Sequence, residues 1–283
     1  MKSAVFAYRR PASVPDAAAF LGQSDGAAKP IGGGQSLGPM LNLRLVRAEW
    51  LVDVSGLADM RTAEQRSAGL WIGGAITHAE IEDGKLDGLL AQAAPLARML
   101  RHVAGTIAYR AIRNRGTVAG SLAHADPAAD WVLAMTVLDA QLDCGAAQAR
   151  RMVPMTRFMS GAFTTALQGG ELLTGVLVPY YSSAMRWGYY KFCRKTGEFA
   201  EASCAVLFDP ERGVARIAIG ALDGAPVLLD RLASAIARDG IEAMSDEAVR
   251  DAVAQAAPGK DQVGQRLIAT AVKRGVRQAL EAA

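Results

Sequence analysis

At 283 residues the chain is too long for one small core and requires two or three packed units. It is 51% hydrophobic and 21% charged, the balance of an ordinary globular protein. A net charge of +3, spread over residues of mixed sign, excludes a nucleic-acid-binding surface. No apolar run is long enough to cross a bilayer, and Met1 to Arg10 lacks the long apolar region of a signal peptide, so the expected location is the cytoplasm. Cys144, Cys193 and Cys204 are isolated and form neither a disulfide framework nor a metal pair. Any iron–sulfur cluster therefore belongs on another chain.

In chain order, residues 2–8 read as a short strand. Ser13 is an N-cap for a helix reaching Leu21, with Pro15 and Asp16 in its first turn. Lys29 to Ile31 is an extended entry into a glycine-rich segment. Leu41 to Leu45 reads as a strand or a helical turn, and Glu49 to Val54 as a strand. Leu70 to Ile72 is extended. Thr77 and Glu80 carry a capping-box pattern at a helix start. A helix is expected from Leu89 to Val103 and another from Asp130 to Leu138. Ala140 to Asp143 and Ala149 to Pro154 fit a strand pair, Met155 to Phe158 a short helix, and Leu172 to Val178 an apolar strand. After Pro179 the pattern changes. Arg186 to Arg194, Ala202 to Asp209 and Val214 to Leu222 predict three antiparallel strands, with a turn at Pro210 to Gly213. Helices follow at Val227 to Arg238, Asp246 to Ala256 and Gly264 to Ala282. The class is α+β, with boundaries near residues 56 and 178.

Two segments stand out. The first is Pro30-Ile31-Gly32-Gly33-Gly34-Gln35-Ser36-Leu37-Gly38; the second runs from Arg113-Asn114-Arg115-Gly116-Thr117-Val118-Ala119-Gly120-Ser121 through His124 to Asp130. Glycines let backbone N–H groups approach a ligand, and successive N–H groups in a turn form an anion site. Two such segments suit the two phosphates of one dinucleotide. Three chemistries fit the first segment's letters. As a Rossmann loop, Gly32, Gly34 and Gly38 supply the spacing and Asp53 the ribose acid; Pro30 in the entering strand and Gly38-Pro39, which interrupts the following helix, argue against it. As a nucleophile elbow, Gly34 to Gly38 matches G-x-S-x-G; too little chain precedes Ser36, and His78, His102 and His124 carry no mark of a general base. The third is a flavin site built from both segments.

The third is specific. Gly32 to Leu37 followed by Leu41-Asn42-Leu43-Arg44 resembles the A-G-G-[HQ]-S-L…L-R segment of the FAD-binding medium subunits of molybdenum hydroxylases, the carbon monoxide dehydrogenase and xanthine dehydrogenase group. Arg113 to Ser121 resembles their R-N-x-G-T-[IV]-G-G-[SN] segment, and His124 to Asp130 matches H-A-D-P-A-A-D. Gly74 to Glu80 and Arg194 to Ala200 are also similar, so the likeness spans nearly the whole chain. The resemblance implies an FAD-binding region of the PCMH/VAO type in two subdomains, 1–56 and 57–177, followed by a C-terminal domain, 178–283, with a three-stranded antiparallel sheet and helices. It implies that Gly32, Gly33, Gly34, Gln35 and Ser36 hold the pyrophosphate, with Leu37 also among the cofactor-binding residues. Thr117, Ala119, Gly120 and Ser121 would form an opposing loop, and Ile107 and Ala108 would lie against the flavin. Asp130 would face the ribose or adenine end, with Leu173 on the adenine side and Lys191 as a further contact. Ala119 stands where the family has glycine; a left-handed backbone there would carry strain.

Gln35 in place of a histidine leaves no side chain for covalent attachment, so dissociable FAD is expected. The implied partners are a small subunit with [2Fe-2S] clusters and a large subunit with the molybdenum cofactor, in a heterohexamer that passes electrons through FAD to an external acceptor. A nucleotide-binding assembly or regulatory subunit without redox activity, and a stand-alone NADP-dependent reductase, are the alternatives. The remaining histidines, Arg194-Lys195 and the Tyr180-Tyr181 and Tyr189-Tyr190 pairs read as packing or surface residues. Cys193 and Cys204 read as small buried hydrophobes.

Overall fold

The structure is a computed structural model that describes residues 2–281. Its first sheet is parallel, built from β1 (Ala7–Arg9), β2 (Ala28–Ile31) and β3 (Trp50–Asp53) in the order β1-β3-β2, with α1 (Val14–Gln23) and α2 (Leu37–Asn42) between strands. Ser13 caps α1 by accepting from the Asp16 N–H, and Asp16 also pairs with Arg9. Pro30 lies on β2, an edge strand, where a missing N–H costs no ladder bond.

The second sheet is antiparallel, in the order β4 (Ala63–Arg66), β5 (Gly69–Gly73), β10 (Leu172–Val178), β6 (Gln141–Gly145), β7 (Arg150–Pro154). Between β5 and the later strands run α3 (His78–Glu82), α4 (Ala94–Thr106), α5 (Arg110–Arg113), α6 (Val118–His124) and α7 (Asp130–Val137). Then come β6 (Gln141–Gly145), β7 (Arg150–Pro154), α8 (Met155–Phe158), the small pair β8 (Met159–Gly161) and β9 (Thr164–Thr165), and β10 (Leu172–Val178). The main core lies here, around Trp131, Phe158, Leu70, Ile72, Met99 and Leu100.

The third sheet holds β11 (Arg186–Phe192), β12 (Ala202–Asp209), β13 (Val214–Gly220) and the short β14 (Val227–Leu228), followed by α9 (Asp230–Asp239), α10 (Asp246–Ala256) and α11 (Gln262–Glu281). Every residue of β12 is buried, because both faces are covered. Ala205 and Leu207 join the main core, while Cys204, Val206 and Phe208 pack into a second core under α9, α10 and α11. α7 is buried along its whole length and contacts β12 and β13, which ties the second and third sheets together.

Several expectations need correction. The first strand spans only Ala7–Arg9; residues 2–6 pair with no strand, and Val5 is 97% exposed. Gly38-Pro39 does not break α2, because Pro39 sits in the first turn, where helix N–H groups have no intrahelical partner. That helix ends at Asn42 with Leu43 as its C-cap, and Arg44 turns the chain at φ 59°. The helix expected from Leu89 starts as a 3-10 turn, Gly88–Ala93, and becomes α-helical only where Pro95 occupies the first turn. β4 was not foreseen: Ala-Glu-Gln-Arg on an exposed edge shows no apolar alternation. Val227 and Leu228 extend the third sheet to a fourth strand, so the helix begins at Asp230. The last helix ends at Glu281; Ala282 lies outside the described residues. Cys193 is half-buried, unlike Cys204.

Candidate functional site

The two glycine-bearing segments meet. A Cβ on Gly33 would overlap the Arg115 carbonyl and come within 2.7 Å of the Gly116 Cα; one on Gly32 would stand 3.0 Å from Thr117 Oγ1. Gly34 turns the chain at φ 70°, a conformation that favours glycine. Gln35 folds back, its Nε2 donating to the Gly33 carbonyl at 3.0 Å. None of the described residues accepts a hydrogen bond from the backbone N–H groups of Gly32, Gly33, Gly34, Gln35 or Ser36, and the Ser36 hydroxyl has no protein partner among them. Leu37 opens α2 directly after them.

The second segment is not a loop of free donors. Thr117 is an N-cap and Val118–His124 is helical, as a threonine before an apolar run favours. The N–H groups of Val118 and Ala119 donate to the Ile76 and Gly74 carbonyls, that of Gly120 to Thr117 Oγ1 at 3.1 Å, and that of Ser121 to the Thr117 carbonyl. From Gly116 to Ser121, only Thr117 keeps an N–H with no acceptor among the described residues. Ala119 has helical backbone, so its side chain carries no left-handed strain. Its Cβ packs where Gly74 leaves room: a Cβ on Gly74 would stand 2.7 Å from it and 2.8 Å from the Leu173 carbonyl. Ala119 and Leu173 thus meet across Gly74.

Ile107 and Ala108 follow the end of α4. Ala108 holds φ 42°, a strained value for alanine. It is held there from both sides. Arg113 Nη1 donates to both the Ile107 and Ala108 carbonyls at 3.0 Å, while its other guanidinium nitrogens grip Glu82 at 2.8 and 2.9 Å. Gly197, at φ 90°, approaches so closely that a Cβ would lie 3.0 Å from the Ala108 carbonyl oxygen and the Tyr109 ring. Hydrogen bonds from Arg113 hold the Glu82 carboxyl below its usual range.

Asp130 and Lys191 meet in a buried network. The Asp130 carboxylate accepts from Lys191 Nζ at 2.9 Å, Tyr189 Oη at 2.7 Å and Thr106 Oγ1 at 3.1 Å, with side-chain exposures of 6% and 8% for the charged pair. Lys191 Nζ also lies 3.4 Å from the Thr106 carbonyl, one residue before Ile107. Burial raises the Tyr189 phenol well above its ordinary value. The site residues therefore form three groups: Gly32 to Leu37 with Thr117, Ala119 with Leu173, and Asp130 with Lys191 beside Ile107 and Ala108. Sequence reasoning missed Arg113, Thr106 and Tyr189 as parts of this arrangement.

Five consecutive N–H groups and a hydroxyl without a partner among the described residues, closed by a second backbone segment, form a donor set that fits a diphosphate. Comparisons with known proteins agree. Residues 4–181 match the family described as the FAD binding domain in molybdopterin dehydrogenase. The chain is 32% identical to the carbon monoxide dehydrogenase medium chain of Hydrogenophaga pseudoflava, covering 98% of this chain and 96% of that one. It is 33% identical to the nicotine 6-hydroxylase medium subunit of Paenarthrobacter nicotinovorans over 79% of this chain and 77% of that one. Its fold matches CO dehydrogenase from Oligotropha carboxidovorans with TM-score 0.88 and 27% identity, covering all of both chains. It matches quinoline 2-oxidoreductase from Pseudomonas putida 86 with TM-score 0.86 and 30% identity, covering 100% of this chain and 99% of that one. These likenesses define a subunit of an oxidoreductase of the dehydrogenase type, with the expected α+β, PCMH-type FAD-binding fold. Within that class, the chain belongs to the FAD-binding medium subunits of molybdenum hydroxylases.

Proposed function

We propose that this chain is the electron-output subunit of a three-component molybdenum hydroxylase. Electrons arrive from [2Fe-2S] clusters on a small partner, which receives them from a molybdenum cofactor on a large partner, and leave for an external acceptor. The observation that carries this reading is the seating of Gly33 against Arg115 and Gly116, which closes the two segments on one small volume. When bound, FAD supplies the redox chemistry, and the protein supplies position and electrostatics.

The chain's own residues then have defined tasks. The N–H groups of Gly32 to Ser36, the Ser36 hydroxyl and the Thr117 N–H receive the diphosphate. Leu37, Ala119, Gly120 and Ser121 shape its walls, and Leu173 lines the adenine side. Ile107 and Ala108 present backbone to the flavin ring, held by Arg113 and Gly197. Asp130 was expected toward the ribose or adenine end; because it and Lys191 are both hydrogen-bonded to Thr106, the neighbour of Ile107, the pair is assigned to the flank of the flavin ring instead. No acid–base pair is required of this chain, since substrate oxidation occurs on the large partner. The FAD is held non-covalently, because Gln35 offers no attachment atom. The division into 1–56, 57–177 and 178–283 is supported by separate sheets within residues 7–53, 63–178 and 186–228.

Absorbance of the purified chain, followed by cofactor extraction, tests the reading. A flavin band at about 450 nm and released FAD are expected. A colourless protein that binds nicotinamide dinucleotide would favour a reductase. A colourless protein that still assembles with both partners would favour an assembly subunit.

A further inference from the structure

The Gly74 to Glu80 segment carries a buried histidine that the functions above leave without a task. His78 is 4% exposed. Its Nδ1 accepts from Trp131 Nε1 at 2.9 Å, so its single hydrogen sits on Nε2. Burial, aided by Arg113, depresses its pKa to about 4, and the ring is neutral in ordinary buffers. Its backbone N–H donates to the Gly116 carbonyl at 2.9 Å, and Thr77 bridges to Thr117. The ring presses on the same residue: a Cβ on Gly116 would stand 2.7 Å from Nε2 and 2.8 Å from Cδ2. Gly33 also packs on the Gly116 Cα. Gly116 is thus in tight contact with both Gly33 and an imidazole. Its φ lies outside the left-handed region, so space alone demands glycine there.

We propose that His78 is a positioning residue for FAD: its ring fills the volume behind Gly116 and sets how near the second segment stands to the first. Positions 78 and 116 share one small volume, and FAD affinity depends on their sum. The inference rests on the reading that these two segments hold FAD. A histidine serves better than a larger aliphatic residue because the buried indole N–H of Trp131 needs an acceptor.

The coupling is testable with Gly116→Ala, His78→Asn and the double variant, each as the full chain. Asparagine keeps an oxygen near the Nδ1 position for Trp131 and vacates the outer half of the ring. FAD dissociation constants come from flavin fluorescence titration, and melting temperature monitors the fold. Gly116→Ala, with His78 intact, pushes the segment toward Gly33 and weakens FAD binding at least about tenfold. The double variant places the new methyl in the vacated space and regains at least about tenfold over Gly116→Ala alone. Additive losses, with the double variant no better than Gly116→Ala, overturn the inference. If Gly116→Ala does not fold, recovery of folded, FAD-binding double variant supports the coupling, and failure to recover it overturns it. Wild-type protein that takes up no FAD refutes instead the underlying flavin reading, before any variant is compared.

Discussion

Gly33 shows how one missing methyl group joins two distant parts of the sequence. Its Cα is seated on the Arg115 carbonyl, so any side chain must push the segments apart. Gly33→Ala is expected to cost about 1–3 kcal/mol of stability, the range for overpacking a tight contact, and to weaken FAD binding at least about tenfold. Urea denaturation and flavin titration measure the two effects; an unchanged dissociation constant would show that the contact does not shape the site. His78 adds a pH dependence at the same place. Its folded pKa of about 4 lies below the ordinary 6.5, so the unfolded chain binds the proton more readily. The stability from keeping this ring neutral is fully present above about pH 6.5 and fades as pH falls toward about 4, by about 3 kcal/mol in all. Removing the imidazole with His78→Asn should flatten the stability profile between those values; a profile parallel to wild type would contradict the assignment.

At the scale of elements, the joint between α7 and β11 is made by charge. Asp130 opens α7 and Lys191 lies near the end of β11, with Thr106 from α4 and Tyr189 completing the shell. Removing one partner of a buried pair leaves an uncompensated charge, so Lys191→Met is expected to destabilise by about 3–5 kcal/mol. Lys191→Met with Asp130→Asn should recover part of that loss in thermal or urea unfolding. A loss for the single variant under about 1 kcal/mol would show that the pair is solvated. Nothing in the sequence near Asp130 or Lys191 announces this pairing, because it forms between residues far apart in the chain. Elements governed by local rules were legible: the Ser13 cap, the Thr77–Glu80 capping box and the β11 to β13 meander all follow from short-range pattern. Elements decided by neighbours were not. β4 exists because β5 offers it an edge, and β14 because β13 captures Val227 and Leu228. The same divide runs through the site. Gly32 to Ser36 could be read as a sharp glycine turn from its letters alone, and Gly34 makes that turn at φ 70°. Thr117 to Ser121 could not be read as a helix start whose N–H groups go to Ile76 and Gly74, because those partners come from another segment.

On the scale of the whole molecule, the second sheet and its helices stand between the other two sheets. Gly116 and Thr117 face the loop that follows β2, and α7 faces β12 and β13. None of the described helices is long and apolar enough to cross a membrane. The mixed fold and the FAD-binding family follow the motif order read along the chain. A ligand held between two segments stabilises the folded state by mass action, about 2.7 kcal/mol at a concentration one hundred times its dissociation constant. The most direct measurement is the FAD content of the purified full chain after denaturation, with micromolar FAD offered during purification. The account predicts FAD equimolar with polypeptide, released free on unfolding. A chain that stays colourless and takes up no FAD would contradict it.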